Sequence, residues 1–238
     1  MALRLILLTG WLLAAVGVAV WHVGPGVAQA KLDDAAVLLA TAEAAAKDED
    51  YADAVAAYDK ALAALPADRL GEARTIRLAK AKAMMLGKKL PEAHAELKTL
   101  VDELTADTNA DPKLVDDARN TLANAQYYTT WLMRLEGLGH DAWGPEIDAA
   151  RQNYRLLAER ADAKGDAAAA TKHREDLEAA IRLDRMELTD LQALPLPKQC
   201  KGCCSCKSNR IGKKPNPKQP KQDIRTGGGA PPLDNSGH

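Results

Sequence analysis

The sequence has no phenylalanine, and aromatic residues make up only 4% of its 238 residues. Valine and isoleucine are sparse while alanine is abundant, so the β-branched and aromatic side chains that stabilise sheets are in short supply. Local preference therefore favours helix and argues against a sheet of any size in the middle of the chain. The 47% apolar content still allows one core, provided that alanine side chains let helices pack closely.

The short motifs of common enzyme classes are also missing. No glycine-rich phosphate loop, nucleophile elbow or His-Glu-x-x-His pair occurs, and His94, His140 and His173 are scattered along the chain. Acidic residues alternate with Lys and Arg at helical spacings, which is typical of solvated helix surfaces. The sequence therefore predicts a protein that is not an enzyme.

The net charge of −1 conceals two parts of opposite sign. Residues 31–197 hold 22 Lys and Arg against 31 Asp and Glu, a net charge of −9, whereas residues 198–238 hold 9 against 2, a net charge of +7. The second part is rich in Lys, Pro and Gly and is predicted to be a disordered tail. We expect it to make weak, salt-dependent contacts with the body or with anionic surfaces, and we expect no specific nucleic-acid binding.

The first thirty residues have the pattern of a secretory signal peptide. Arg4 precedes an apolar run over residues 5–20, a Gly-Pro-Gly segment at residues 24–26 breaks any helix, and Ala28-Gln29-Ala30 is a small-x-small cleavage pattern. The alternative is an uncleaved anchor that holds the protein at the membrane. Either reading places the body in the periplasm or on the extracytoplasmic face of the membrane, and a cleaved signal would make the protein secreted.

Residues 33–65 predict two helices in a hairpin. Apolar and small residues recur at spacings of three and four, residues 48–50 interrupt the pattern with three acidic side chains, and Pro66 ends the second helix. Within this second helix the spaced residues are Tyr51, Ala54, Tyr58, Ala61, Leu62 and Pro66.

That spacing resembles the second half of a tetratricopeptide repeat (TPR), in which small residues lie where helices cross closely. Leu38, Ala42 and Ala45 stand at the corresponding places of a first helix, although the bulky aromatics usual in that helix are absent. The match covers about residues 35–68. The resemblance, to an exported bacterial-type TPR protein, implies an all-α stack of antiparallel hairpins, an α-solenoid, which binds a protein or peptide partner on its concave face.

A second copy of the pattern begins near Arg74. Ala81 and Met84 are predicted to face the partner helix and Gly87 to mark the turn. The second helix then repeats the pattern with Leu90, Ala93, Leu97 and Leu100, each 39 residues after its counterpart in the first copy. Because TPR units have about 34 residues, we expect a lengthened connection near residues 68–71.

The rest of the body, residues 31–197 as a whole, is predicted to be helical as well. Residues 113–136 begin a third hairpin, whose turn is expected to be long because it contains Gly137, Gly139, Gly144 and Pro145. One final helix, over residues 166–194, is predicted to cap the stack. If the first helices line a concave face, their position makes Lys47, Arg77, Lys80 and Lys82 candidate groove residues, although exposed polar side chains are more often simply solvent-facing.

Four cysteines lie close together in the tail, at Cys200, Cys203, Cys204 and Cys206. In an oxidising compartment they could form disulfides, within one chain or in a disulfide-linked oligomer. Alternatively their thiolates could bind Zn(II) or Cu(I), or act as a reactive redox pair beside Lys198, Lys201 and Lys207. The sequence thus supports three hypotheses: an envelope scaffold for protein–protein interaction, a metal-handling or thiol-redox protein, and a structural subunit of an envelope assembly.

Overall fold

The computed structural model describes residues 27–194 together with residues 10, 11, 13 and 14. Within residues 27–194 the backbone forms eight α-helices and no strand, which confirms the all-α prediction. The helices are α1 (Val27–Lys47), α2 (Tyr51–Ala64), α3 (Leu70–Leu86), α4 (Leu90–Ala106), α5 (Pro112–Leu135), α6 (His140–Ala163), α7 (Ala167–Arg185) and α8 (Leu188–Gln192). The predicted tail, residues 198–238, and most of the predicted leader lie outside the described residues.

Aspartate and proline residues define the starts of several helices. The side chains of Asp50, Asp111 and Asp166 each accept a hydrogen bond from a main-chain N–H in the first turn of α2, α5 and α7, at 3.3, 3.0 and 2.9 Å. Pro91 and Pro112 occupy the first two positions of α4 and α5, where a missing N–H costs no helical hydrogen bond. The starts of α2, α4, α5 and α7 are therefore marked by local sequence.

Four helices end in the same left-handed turn. Glu49, Lys88, Gly137 and Gly165 follow α1, α3, α5 and α6 with φ values of 67°, 63°, 78° and 75°. In each case the next N–H returns to the carbonyl five residues earlier, at 2.9 to 3.0 Å, and so satisfies a terminal carbonyl of the helix. The chain can then start the following helix two or three residues later.

Each helix from α1 to α6 packs against the next helix along the chain, and α5 also contacts α3 and α8. The buried side chains form one contiguous cluster that extends from Ala42 to Leu191. Small residues such as Ala42 and Ala81 are fully buried in this cluster, together with large aromatic residues such as Tyr58 and Trp131. The core is thus built mainly from neighbours in sequence.

Burial repeats at the interval of 39 residues that the sequence suggested. Ala42 and Ala81 are both fully buried, and so are Ala54 and Ala93. The left-handed residues Glu49 and Lys88 are separated by the same interval, as are the first residues of α2 and α4. The first two hairpins therefore share both their turn geometry and the positions of their buried small residues.

The predicted long turn of the third hairpin is wrong. α6 already begins at His140, so Gly144 and Pro145 lie inside the helix rather than in the turn. Pro145 lacks the N–H that would bond to the carbonyl of Asp141, yet the helix continues through it, and Trp143 and Ile147 on the same helix are buried. Only residues 136–139 separate α5 from α6.

The single final helix predicted over residues 166–194 is also wrong. α7 ends at Arg185, Met186 is extended with ψ 139°, and the short helix α8 follows. The guanidinium of Arg134 on α5 donates hydrogen bonds to the carbonyls of Leu183 and Met186. A side chain from another helix therefore satisfies these carbonyls at the end of α7. Leu191 on α8 is then fully buried, whereas Leu188 at the start of the same helix is 39% exposed.

Candidate functional site

A cavity lies between α1 and the first half of α3, and residues of the α4–α5 turn also line it. Its volume is about 820 Å³, enough for a short peptide segment. We call it the large groove. Its large apolar lining residues are Leu32, Leu39, Leu65, Leu70, Ile76, Leu104 and Leu114. Because α1 and α3 belong to different hairpins, the groove exists only where consecutive hairpins meet.

Charged side chains surround the apolar lining of the large groove. Arg74 Nη1 lies 2.5 Å from Asp107 Oδ2, and this hydrogen bond lowers the pKa of the Asp107 carboxyl. Arg69 pairs with Glu72 at 3.1 Å. Asp68 and Asp111 also line the groove, so its rim carries more carboxylates than cations.

A second cavity of about 410 Å³ adjoins the large groove and shares Leu104, Asp107 and Ala110 with it. We call it the basic cavity because Arg119, Arg160 and Lys164 line it. The two acidic residues in its lining are Asp107 and Asp116. The carboxylate of Asp116 lies 2.7 Å from Arg160 Nη1 through one oxygen and 2.7 Å from Lys164 Nζ through the other. Burial raises the pKa of Asp116, but these two hydrogen bonds outweigh it and hold the pKa below its ordinary value.

Arg119 lies in the basic cavity without a bonded carboxylate. Its Nη2 donates to Thr105 Oγ1 at 2.9 Å and its Nη1 to Asn153 Oδ1 at 3.3 Å, while its buried Nε has no hydrogen-bond partner among the described residues. Burial and the nearby Arg160 lower the pKa of Arg119. The guanidinium is thus fixed by neutral groups beside another cation.

The candidate groove residues from the sequence lie elsewhere, because in the described part of the chain none of them lines either cavity. Arg77 bridges Glu96 and Glu103 on α4, at 2.5 and 2.6 Å, and Lys80 pairs with Asp59 on α2 at 2.6 Å.

Lys47 is exposed at the end of α1, and Lys82 is half-buried on α3. The structure therefore does not bring Lys47, Arg77, Lys80 and Lys82 together in one pocket.

The residues expected to pack the repeats are mostly in the core. Tyr58 is 4% exposed, and Leu38, Tyr51 and Pro66 are half-buried. The remaining members are fully buried, namely Ala42, Ala54, Ala61, Ala81, Ala93 and Leu97.

The predicted thiol site cannot be placed, since Cys200, Cys203, Cys204 and Cys206 lie outside the described residues. Among the residues that are described, no group of three or more His, Cys, Asp or Glu side chains is arranged to hold a metal ion. In the same part of the chain, no helix is both long enough and apolar enough to cross a membrane. The predicted cleavage pattern at residues 28–30 falls within the first turns of α1.

The sequence matches no protein-family model, and comparisons with curated proteins and with solved structures find no match. The resemblance to TPR proteins therefore depends on the residues and their burial alone.

Proposed function

We propose that this protein is an exported scaffold of TPR-like helical hairpins that binds a segment of a protein partner in the large groove. The apolar cavity of about 820 Å³ at the junction of two hairpins carries this proposal. The consecutive packing of α1 to α7 and the 39-residue interval between buried Ala42 and Ala81 support a repeat architecture. The apolar run of residues 5–20 and the pattern Ala28-Gln29-Ala30 support export.

The lining of the groove indicates what kind of segment it binds. Apolar side chains of the partner would pack against Leu39 and Ile76, and a Lys or Arg beside them would face the rim carboxylates of Asp68 and Asp111. Arg74 and Asp107 already form an ion pair with each other, so together they add no net charge to the rim of the groove. We therefore expect a partner sequence that combines apolar residues with a nearby cation.

Filling the groove tests this function. Ala36 lines the groove but is exposed, so Ala36→Trp would occupy the cavity without removing a buried contact. Ala52 is equally exposed on α2 and lines neither cavity, which makes Ala52→Trp the matched control. A random dodecapeptide display library selected on the full chain should yield apolar-basic peptides that bind the wild type and Ala52→Trp but not Ala36→Trp. Selected peptides that bind both variants equally would rule out the groove.

The same binding assay separates the two other hypotheses from this one. A variant with Ser at Cys200, Cys203, Cys204 and Cys206 should keep peptide binding if the groove acts alone. If the purified protein retains Zn(II) or Cu(I) and the Ser variant loses both the metal and partner binding, a metal-handling function replaces the scaffold. A purely structural subunit would instead appear as disulfide-linked chains in non-reducing electrophoresis.

A further inference from the structure

Arg119 is a partly buried cation whose direct partners among the described residues are neutral. Thr105 and Asn153 accept its two hydrogen bonds, and its buried Nε has no acceptor in the described part of the chain. Removing a guanidinium from water costs free energy that a hydroxyl and an amide recover only in part. A negatively charged acceptor would recover more of it and would also relieve the repulsion from Arg160.

The charges around the basic cavity leave one positive charge in excess. Arg160 and Lys164 share the single carboxylate of Asp116, and Asp107 is engaged by Arg74 on the groove side. Asp102 on α4 also acts on Arg119, but only through space. Among the described residues that line the cavity, the cations are Arg119, Arg160 and Lys164 and the carboxylates are Asp107 and Asp116, so three cations face two carboxylates.

We propose that the basic cavity is an oxyanion-binding site, in which Arg119 binds a carboxylate or phosphate group with Arg160 and Lys164 beside it. The cavity volume of about 410 Å³ accommodates such a group together with its hydration water. The guanidinium is preorganised, because Thr105 on α4 and Asn153 on α6 hold it from two sides. The site lies outside the large groove and does not require the groove to bind anything.

The anion has two sources with the same chemistry. Free phosphate or a phosphorylated group would reach the cavity from solvent, whereas the carboxylate of an Asp or Glu side chain could belong to a segment bound in the adjoining groove. Phosphate, with more charge and more acceptor oxygens, should bind more tightly than acetate in the first case. In the second case acetate should bind as well as phosphate or better.

The test is a titration of the full chain labelled with ¹⁵N, followed through the arginine Nε–Hε signals. Sodium phosphate and sodium acetate are added separately at pH 7, and sodium chloride of equal ionic strength serves as the reference. The Arg119 signal should shift and saturate with at least one of the two anions. The signal of Arg155, which is exposed on α6 and lines neither cavity, should move only as it does in chloride.

Two variants complete the experiment. Arg119→Met should weaken anion binding about tenfold or more, and Arg155→Met should leave it within about twofold. The site is refuted if the Arg119 signal follows the chloride reference without saturating, or if Arg119→Met binds the anion as tightly as the wild type. Should Arg119→Met fail to fold, saturation of the wild-type Arg119 signal decides the question by itself. Because no peptide is used, failure here leaves the large groove and its proposed function unaffected.

Discussion

The guanidinium of Arg134, near the end of α5, donates a hydrogen bond to the main-chain carbonyl of Leu183 in the last turn of α7. The same guanidinium reaches the carbonyl of Met186, and its Cζ lies 4.7 Å from the ring centroid of Trp143. The Arg134 side chain therefore connects α5, α6 and α7. Arg134 is 8% exposed, and burial lowers its pKa.

Arg134→Met should destabilise the protein. Met retains much of the apolar volume but cannot donate to the two carbonyls or interact with the indole as a cation, so we expect a loss of about 2–4 kcal/mol in the free energy of unfolding. Urea denaturation measures it, and Arg155→Met, at an exposed position, should change stability by less than about 0.5 kcal/mol. A loss below about 1 kcal/mol for Arg134→Met would show that the hydrogen bonds do not hold the end of α7.

Lys88→Gly should stabilise the protein. Lys88 has a φ of 63°, a left-handed conformation that costs an ordinary residue about 1–2 kcal/mol and costs glycine much less. The greater entropy of glycine in the unfolded chain offsets part of this gain, so we expect about 0.5–1 kcal/mol. The urea midpoint should rise with an unchanged slope. If stability falls instead, the turn after α3 is not left-handed in solution.

Ala81→Leu should destabilise the packing of α3. Ala81 is fully buried, so a larger side chain must displace its neighbours at a cost of about 1–3 kcal/mol. Ala56→Leu, on the exposed face of α2, is the matched control and should be neutral within about 0.5 kcal/mol. Equal stability of the two variants in thermal denaturation would contradict close packing at Ala81.

His173 should make stability depend on pH under mildly acidic conditions. Burial, with help from Lys172, lowers its pKa in the folded protein to about 4. Between the unfolded value of about 6.5 and this folded value, only the unfolded state binds the proton, so stability falls as the pH falls through this window. Because the side chain is only partly buried, we expect a loss of roughly 1–2 kcal/mol.

His173→Gln should flatten this slope between pH 6.5 and 4, as measured by urea denaturation at several pH values. NMR titration of the His173 ring in the folded protein provides an independent reading. A midpoint near 6.5 would show that the imidazole is solvated and would contradict the expected pH dependence.

The first two hairpins could be predicted closely because their signals are local. Three acidic residues at 48–50 and the glycine at position 87 mark the turns, and the alanine pattern identifies the buried faces. The sequence did not reveal that Glu49 and Lys88 adopt a left-handed conformation, since neither is a residue that favours it. The turn is imposed by the returning hydrogen bond and by the packing of the next helix.

The candidate site was much harder to predict. Leu32 and Leu39 lie seven residues apart on α1, which indicates one helix face, but nothing in their spacing shows that this face borders a cavity rather than the core. Arg119 and Arg160 are 41 residues apart, and only the packing of α5 against α6 brings them into one cavity. Conversely, Arg77 and Lys80 face carboxylates of neighbouring helices that sequence spacing could not identify.

The amino-acid sequence by itself determined the helical class, the starts of the Asp-capped helices α2, α5 and α7, and the 39-residue interval of the first two hairpins. These features depend on propensity, caps and small-residue spacing, which act over a few residues. Tertiary structure alone decided where α7 ends, since that depends on Arg134 some fifty residues earlier. It also decided which charges are paired and which cation is left beside the basic cavity. Such pairings depend on distances between helices, and those distances are set only when the whole core has packed.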